Sequence, residues 1–438
     1  MTKRPNRRQF LRNAAAGAAG VVAAPYFVRP SALGLAGGIA ASERIVMAAI
    51  GTGGKGQHNS GAFMDFPEVQ MVAVCDVDSG HLAKGREQVN KKYGNEDCVA
   101  EADFRRICER TDIDAVHVST PDHWHALASI AALRSGKDVY CEKPLANSVA
   151  EGRAICTAAE QSKRLVQTGS QERSGDNARF ACELVRSGRI GKLHTVHINL
   201  PCDDGHHKEV RAIADVPPPM MVPEGFDYDF WLGHTPVVPY TEKRCHFFWR
   251  FILNYGGGEM TDRGAHVIDI GQLGMGTDDT GPVEIECRGT RSATSMYDVF
   301  WDYEFVNTYA NGVKMIGKAV GPRGVKFEGS DGWIMVHIHG GRLEADPATL
   351  LEIKLGENDV QLGRSPGHHR NFLDSVKSRQ QPVASAEIGH RTASICHLNN
   401  IAMLTGRKLN WDPKAEKFID DSSADSLLKP SMRAPWTL

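Results

Sequence analysis

The feature that most limits what this chain can fold into is a glycine-rich turn directly after a buried strand. The apolar run 45–50 has the length of a buried strand, and it ends at the sequence GTGGKG, residues 51–56. In this spacing Gly51 allows a tight turn, Gly53 lets a pyrophosphate approach the backbone, and Gly56 lets the next helix pack closely on the strand. The N-terminus of that helix offers N–H donors to phosphates. The pattern predicts a dinucleotide-binding βαβ unit.

A carboxylate stands where such a unit holds the adenosine ribose. The second apolar run, 69–75, ends at Asp76, which lies 25 residues after Gly51. A carboxylate at that place accepts hydrogen bonds from both ribose hydroxyls and repels a 2′-phosphate. No Arg or Lys lies between Val77 and Ser79 to attract such a phosphate. We therefore expect NAD rather than NADP as the cofactor, with Thr52 as a further contact in the glycine turn.

Strand and helix patterns alternate up to residue 169. Helices are expected near 81–93, 124–135 and 149–162, and strands near 115–119, 138–141 and 165–168. This alternation predicts an α/β fold with a doubly wound parallel sheet, a Rossmann domain over residues 42–169. Ligands of such sheets bind beyond the carboxyl ends of the strands. The motifs TPDHWH (120–125) and EKP (142–144) fall at those ends.

Beyond Gly169 the alternation gives way to short apolar runs separated by turns such as Asn311-Gly312. This predicts an α+β domain over residues 170–410 with a large, open, mostly antiparallel sheet. A long Pro- and Gly-rich loop follows Pro217, and we expect it to wall the substrate cleft. The segment 411–438 shows no strong period and is expected to be a polar tail.

The N-terminal region has the character of an export signal. Residues 1–41 carry six basic and no acidic side chains, and Arg7-Arg8 precedes a mildly apolar stretch, 14–28. A twin arginine in this setting resembles a Tat signal, and the alternative is a basic amphipathic first helix. Loss of these residues would change the net charge from -2 to -8. We expect a periplasmic or exported protein. Its cofactor is expected to bind in the cytoplasm, before the Tat machinery exports the folded chain.

Composition excludes several other classes of protein. No run reaches about 18 strongly apolar residues, which argues against a polytopic membrane protein, and no basic face indicates a nucleic-acid partner. The ten cysteines are scattered without a CxxC pair, so neither a disulfide framework nor a zinc site is expected. The Asp- and His-rich run 202–207 lacks the spacing of known metal motifs and is expected to be a solvated loop. No metal is expected.

Four motifs in a fixed order carry a family resemblance. GTGGKG, TPDHWH, EKP and the segment YGGGEMTDRGAH (255–266) resemble the Gfo/Idh/MocA family, which includes glucose-fructose oxidoreductase and inositol dehydrogenase, over residues 43–410. The segment 222–240, with DFWLG at 229–233, is similar to the branch often found with Tat signals. The resemblance implies a Rossmann domain followed by an α/β domain whose open sheet often forms an oligomer interface. A homo-oligomer is therefore expected.

The resemblance also implies which residues form the site. In the family, the lysine of EKP and an Asp-x-x-x-His pair surround the nicotinamide and the substrate, which here are Lys143, Asp262 and His266. The TPDHWH loop borders the nicotinamide in the family. The further cofactor contacts we expect are Thr120, Pro121, His125, Glu142 and Gln171, the last at the domain junction. Arg250 is a candidate substrate contact, and its alternative is a salt bridge on an aromatic-packed face.

The chemistry expected of these residues is hydride transfer from a secondary alcohol. That reaction needs a base for the hydroxyl proton and donors for the developing alkoxide. His266 is the expected base because the pKa of an imidazole lies near neutrality, and Lys143 is the alternative if burial lowers its pKa. Asp262, one helical turn earlier, would orient the imidazole or bind a second substrate hydroxyl.

Three functions fit these expectations. The first is an NAD-dependent oxidoreductase acting on a hydroxyl carbon of a sugar, sugar acid or cyclitol. The second is a redox-neutral glycosidase or lyase that oxidises a sugar carbon transiently, eliminates the glycosidic substituent and returns the hydride. Export favours the second, because free NAD is expected to be scarce outside the cytoplasm. The third is a non-catalytic sugar-binding protein.

Overall fold

The computed structural model describes residues 39–438. Residues 39–44 contain a single turn of 3-10 helix, Ala41–Glu43, and belong to a unit separate from the body that begins at Ile45. The twin arginine and apolar stretch of the expected export signal lie outside the described residues. Among the described residues, no helix has the length and apolar character that a membrane span requires.

The first half of the body is built on a parallel sheet in the order β3-β2-β1-β4-β5-β6. This confirms the predicted doubly wound fold. The order reverses at β1, so a crevice opens beyond the carboxyl ends of β1 and β4. The strands are β1 (Ile45–Ile50), β2 (Val69–Cys75), β3 (Val99–Glu101), β4 (Ala115–Val118), β5 (Asp138–Cys141) and β6 (Val166–Thr168). The helices are α1 (Gly54–Met64), α2 (Ser79–Tyr93), α3 (Phe104–Glu109), α4 (Asp122–Arg134) and α5 (Val149–Ser162).

Both faces of this sheet are buried, which explains the continuous apolar runs of its strands. Successive side chains of β1 point to opposite faces. Met47 and Ala49 join one apolar cluster, whereas Ala48 and Ile50 join another. The strand therefore holds the glycine turn at the end of a rigid, two-sided core.

The second half is built on a nine-stranded sheet in the order β13-β12-β11-β7-β10-β9-β8-β14-β15. Its neighbours pair antiparallel except β7 and β10, which confirms the mostly antiparallel sheet. The strands are β7 (Leu193–Asn199), β8 (Glu284–Thr290), β9 (Trp301–Thr308), β10 (Lys314–Lys318), β11 (Gly324–Gly329), β12 (Gly332–His337), β13 (Leu343–Asp346), β14 (Leu409–Asp412) and β15 (Lys417–Phe418).

The helices of this half cover one face of the sheet and connect it to the Rossmann half. Helices α6, α10 and α12 pack together on the sheet, and α12 also packs on α5. At that junction Arg153 of α5 forms ion pairs with Glu387 and Glu416. The helices are α6 (Asp176–Arg186), α7 (Gly205–Arg211), α8 (Tyr228–Leu232), α9 (Glu259–Asp262), α10 (Gly264–Met275), α11 (His368–Ser378), α12 (Ala386–Thr405) and α13 (Ser422–Asp425).

The segment 411–438 is more than a polar tail. Trp411 and Phe418 are buried in the core of the second half, in strands β14 and β15 that extend its sheet. The last residues instead turn to the first half, where Met432, Trp436 and Leu438 pack against a core cluster of the parallel sheet. The C-terminal segment therefore ties the two halves together. The expected limits of the two domains stay a prediction.

Candidate active site

A cleft of about 520 Å³ lies beyond the carboxyl ends of β1 and β4. The glycine turn, the Asp76 loop, the start of α4 and the EKP segment form one side, and residues between 226 and 262 form the other. The cleft therefore lies where a doubly wound sheet binds its ligand. Of the residues expected from the sequence, Gly51, Gly53, Asp76, Thr120, Pro121, His125, Glu142, Lys143, Arg250 and Asp262 line it. Thr52, Gly56, Gln171 and His266 are not among its lining residues.

The glycine turn has the shape that a pyrophosphate requires. Gly51 has φ +88°, and a Cβ on Gly56 would lie 2.0 Å from the carbonyl oxygen of Gly51. These two positions therefore need glycine. A Cβ on Gly53 would meet nothing closer than the His81 ring at 3.9 Å, so the turn is open there. No side chain caps the N-terminus of α1, which leaves N–H donors for phosphate oxygens.

The Asp76 carboxylate is fixed in place on the cleft wall. Its Oδ2 accepts hydrogen bonds from the backbone N–H of Thr52 at 2.8 Å and from the Thr52 hydroxyl at 3.2 Å. Its Oδ1 accepts from the backbone N–H of Asp78 at 3.0 Å. Thr52 is fully buried, so it positions the Asp76 carboxylate and does not itself line the cleft. A carboxylate held this way suits the ribose hydroxyls of a dinucleotide.

The TPDHWH loop is tied to the EKP segment by His125. One ring nitrogen lies 2.7 Å from the Pro144 carbonyl oxygen and the other lies 3.0 Å from that of Thr120. His125 therefore holds the two motifs together while its ring faces the cleft, and burial lowers its pKa. The Thr120 hydroxyl, also on the wall, is buried without a hydrogen-bond partner among the described residues. Such an orphan hydroxyl fits a polar group of a bound cofactor.

Two cations enclose the carboxylate of Asp262 at the other end of the cleft. The Lys143 ammonium contacts Asp262 Oδ1 and donates to its carbonyl oxygen at 3.0 Å. The Arg250 Nε lies 3.8 Å from Asp262 Oδ2, and its guanidinium lies 4.5 Å from the Trp249 ring centroid. Burial acts to raise the pKa of Asp262, but Lys143 and Arg250 outweigh burial and lower it. The structure thus brings Lys143 together with two residues that lie more than 100 positions later in the sequence.

His266 lies behind this trio. Asp262 ends α9 and His266 lies in the first turn of α10, after a break at Arg263. The His266 side chain packs edge-on against His339 at 5.1 Å, and its Nδ1 is buried without a partner in the described part of the chain. Burial, and then Lys143, lower the pKa of His266 well below its usual value. Asp262 pairs with Lys143 rather than orienting this imidazole.

Among the cleft residues that were not foreseen from the sequence, two charged ones lie inside the motifs. Lys55, in GTGGKG, lies 3.5 Å from Glu142 Oε1, and the side-chain amide of Asn59 donates to the same oxygen at 2.9 Å. Burial acts to raise the pKa of Glu142, but Lys55 and Asn59 outweigh it. Asp122, in TPDHWH, is a buried carboxyl on the wall, and burial raises its pKa well above the usual value.

The run 202–207 is not a solvated loop, which corrects the sequence-based expectation. Its second half opens α7, and His207 is fully buried. The Nδ1 of His207 accepts from the Asp204 N–H at 3.2 Å, and its Nε2 lies 3.1 Å from Glu259 Oε2. His207 is buried because its ring packs against the rings of Phe251 and Trp301. Among the described residues, Asp204, His206 and His207 form one group able to hold a metal ion by distance, and Asp78, His81 and His246 form another.

Comparison with known proteins matches both halves. Residues 45–170 match the family model described as "Oxidoreductase family, NAD-binding Rossmann fold", and residues 182–438 match "Oxidoreductase family, C-terminal alpha/beta domain". A glycosyl hydrolase family 109 protein of Shewanella pealeana is 28% identical over 206 residues, 43% of this chain and 44% of that protein. The chain spans less than half the length of the curated relatives it matches.

Solved structures share the fold over most of the chain. Aldose-aldose oxidoreductase from Caulobacter crescentus, complexed with glycerol, is 18% identical, with a TM-score of 0.61, 84% of this chain covered and 99% of that one. The WlbA dehydrogenase from Bordetella pertussis, in complex with NADH and UDP-GlcNAcA, is 14% identical, with a TM-score of 0.62 and the same coverage. At these identities the likeness shows the fold. Since the two family models together span most of its length, the chain belongs to the Gfo/Idh/MocA family of oxidoreductases, with an NAD-binding Rossmann domain.

Proposed function

We propose that this protein transfers hydride between the nicotinamide of NAD and a hydroxyl-bearing carbon of a sugar, sugar acid or cyclitol. The observation that carries the proposal is the contact between Lys143 and Asp262 in the cleft that the glycine turn opens into. An ammonium and an ionised carboxylate at the far end of a dinucleotide cleft are suited to bind and polarise a polyol.

When bound, the cofactor supplies an acceptor for the hydride that leaves the alcohol carbon. The residues supply the rest. Lys143 donates to the reacting oxygen and stabilises the negative charge that develops there. Asp262 keeps Lys143 oriented and accepts a hydrogen bond from a neighbouring hydroxyl, while Arg250 adds a second donor. The hydroxyl proton passes to a base that is uncharged beforehand, either the His266 imidazole or the neutral amine form of Lys143, which thereby becomes the ammonium that pairs with Asp262. The cleft-lining position of Lys143 favours Lys143 as the group that meets the substrate oxygen.

The preference for NAD over NADP is also a proposal, and it rests on Asp76. Its carboxylate is anchored by Thr52 and Asp78, so it stays at the ribose position instead of turning away. A 2′-phosphate would meet this fixed negative charge. We expect Asp76→Ala to weaken the preference for NAD: the ratio of the NADP to the NAD dissociation constant should fall about tenfold or more, the scale of one lost charge contact. An unchanged ratio would contradict the assignment.

A second candidate is the redox-neutral cleavage of a glycoside with a retained cofactor. The curated relatives favour it, since they are named as glycosyl hydrolase family 109 proteins. In this cycle the oxidised carbon acidifies the neighbouring C–H, the glycosidic substituent leaves with the released electron pair, water adds, and the hydride returns to the sugar. The same Lys143 and Asp262 would serve it, and no net oxidant is needed. Export of the protein to the periplasm, which we also propose, suits such a cycle.

One experiment separates these functions. The purified full chain is examined for bound NAD by absorbance and mass, and then offered a panel of glycosides and free sugars with and without added NAD. Formation of NADH that depends on added NAD supports the oxidoreductase. Release of the glycosidic substituent without added cofactor supports the glycosidase. Bound nucleotide with no turnover of any substrate favours the sugar-binding alternative, and failure to bind NAD or NADP rejects the proposal.

A further inference from the structure

A segment of the second half crosses the end of the cleft that contains Asp76. We name residues 222–235 the strap. The backbone N–H of Ser79 donates to the carbonyl oxygen of Gly225 at 2.9 Å, and the N–H of Asp227 donates to that of Val77 at 3.0 Å. Between these bonds Phe226 pairs with Asp78 as an antiparallel bridge. The strap is thus joined by strand-like hydrogen bonds to the loop that directly follows Asp76.

Two glycines let the strap approach the Rossmann half closely. Gly225 has φ +78°, and a Cβ there would lie 2.2 Å from the Ser79 hydroxyl oxygen. Gly233 has φ +58°, and a Cβ there would lie 2.3 Å from the Trp124 ring. The side chain of Trp124 also donates to the carbonyl oxygen of Trp231 at 2.9 Å. Side chains larger than hydrogen at either glycine would push the strap outwards.

The strap supplies aromatic side chains to the adenosine end of the cleft. Phe226, Phe230 and Trp231 line it, together with Phe104 and Trp124 of the Rossmann half. The Phe230 ring meets the Trp124 ring edge-on with centroids 5.3 Å apart. An aromatic wall in the same cleft as a ribose-binding carboxylate suits a purine base.

The last residues of the chain hold the strap from outside. We name residues 431–438 the clasp. Trp436 stacks on Phe230 with centroids 5.6 Å apart and planes 11° apart, and it meets Trp124 edge-on at 4.9 Å. Arg433 forms an ion pair with Asp229 at 2.7 Å and donates to the carbonyl oxygen of Gly233 at 2.7 Å. The strap is therefore held both by the loop after Asp76 and by the C-terminus.

We propose that the strap and the clasp close the adenosine end of the cleft over the bound dinucleotide and make its release slow, so that one cofactor molecule serves many turnovers of the redox-neutral cycle, in which the hydride returns to the sugar. This inference rests on the proposed NAD site and adds that the strap and the clasp keep the dinucleotide bound there. Gly225, Arg433 and Trp436 act as positioning residues, since they hold the wall without lining the cleft. Retention of this kind would let a redox-neutral cycle run where free NAD is scarce.

The first test compares two glycine variants of the full chain. Protein loaded with NADH is mixed with excess NAD, and the loss of bound-NADH fluorescence gives the dissociation rate. Gly225→Ala is expected to raise that rate about tenfold, because the added methyl displaces the strap from Ser79. Gly312→Ala is the matched control: Gly312 has φ +83° in a turn, and a Cβ there would meet nothing within 4 Å. It is expected to leave the rate unchanged.

The second test removes the stacking of Trp436 on Phe230. It tests the role of the strap independently if Gly225→Ala does not fold. Trp436→Ala is expected to raise the dissociation rate roughly three- to tenfold, the effect of losing one stacked aromatic pair. Trp333→Ala, a half-buried tryptophan on β12 away from the cleft, is the control. Wild-type dissociation rates in folded Gly225→Ala and Trp436→Ala would overturn the strap while leaving the NAD site intact. A wild-type chain that binds no NADH would overturn both.

Discussion

At the scale of single residues, the site separates a lysine that faces the cleft from a histidine that lies behind it. Lys143 lines the cleft and contacts Asp262, whereas the pKa of His266 is lowered by burial and by Lys143. We expect Lys143→Ala to reduce kcat/KM about 10²–10⁴-fold, the usual contribution of a proton-transfer group. His266→Ala is expected to cost less and to keep the pH dependence of the rate. A larger loss in His266→Ala than in Lys143→Ala would make His266 the base.

The second residue-scale prediction concerns Glu151, a fully buried carboxyl that the sequence did not single out. Ser148 donates to its Oε2 at 2.7 Å, while its Oε1 has no hydrogen-bond partner in the described chain and lies 3.6 Å from His234. Burial raises the pKa of Glu151 to about 8. The folded chain therefore keeps a proton that the unfolded chain releases above its ordinary pKa of 4.5, so the free energy of unfolding falls as pH rises from there to about 8.

Glu151→Gln is expected to remove this part of the pH dependence, because the amide cannot ionise. At pH 7 the variant should be more stable than the wild type by about 3 kcal/mol, because pH 7 lies well above the unfolded-state pKa of 4.5 and below the folded-state pKa of about 8. Denaturant unfolding at pH 5 and pH 8 measures the difference. Glu160→Gln, at an exposed position of the same helix, is the control and should follow the wild type. Parallel pH profiles for the wild type and Glu151→Gln would contradict the prediction.

At the scale of elements, the glycine turn offers a prediction with its own control two residues away. A Cβ on Gly56 would overlap the Gly51 carbonyl oxygen, whereas a Cβ on Gly54 would meet nothing within 4 Å. Gly56→Ala should therefore lower the free energy of unfolding by about 1–3 kcal/mol, because α1 must move away from β1. Gly54→Ala should leave it unchanged or slightly higher. Thermal unfolding of the two variants checks this, and equal midpoints would show that the turn adapts.

The elements that the sequence predicted well are those with a strong local pattern. The apolar run 45–50 and the run ending at Asp76 became β1 and β2 with the expected limits. The strand β3 escaped prediction because it has three residues, none of them buried. The strand β11 has an equally weak local pattern, because glycines bound it and its apolar residues are only Val325 and Phe327. Short elements of this kind are stabilised by their neighbours in the sheet, which no local window contains.

At the scale of the whole molecule, the sequence predicted about a third of the residues that line the cleft, including Lys143 and Asp262, but not the contacts between them. The four motifs placed Lys143 and Asp262 in one site, and the structure joins them across 119 residues. That Asp262 would bind Lys143 instead of His266 depends on the docking of α9 against the EKP segment. The stacking of Trp436 on Phe230 likewise arises only when the C-terminus returns to the first half. Contacts between distant segments leave no periodic signal in either one.

The open sheet carries a further whole-molecule prediction, the homo-oligomer expected from the family resemblance. One face of the nine-stranded sheet is covered by α6, α10 and α12. On β9 the buried residues Tyr303 and Phe305 alternate with the half-buried Glu304 and Val306, so the other face is left partly open. We expect light scattering of the purified full chain to give a molar mass at least twice 47.9 kDa. A monomer at micromolar concentration would contradict the prediction.

The last prediction concerns where the assembled protein goes. If Arg7 and Arg8 form a twin-arginine signal, the export machinery recognises their planar guanidinium groups. Lysine keeps the positive charge but lacks this planar donor geometry. Arg7→Lys with Arg8→Lys should then retain the chain in the cytoplasm, folded and carrying NAD. Arg12→Lys, which changes a third arginine of the same region, should still be exported. Cell fractionation followed by mass analysis of the bound nucleotide tests both points. Export of the double variant would show that Arg7 and Arg8 are not the export signal. Exported protein without bound NAD would contradict the loading of the cofactor before export.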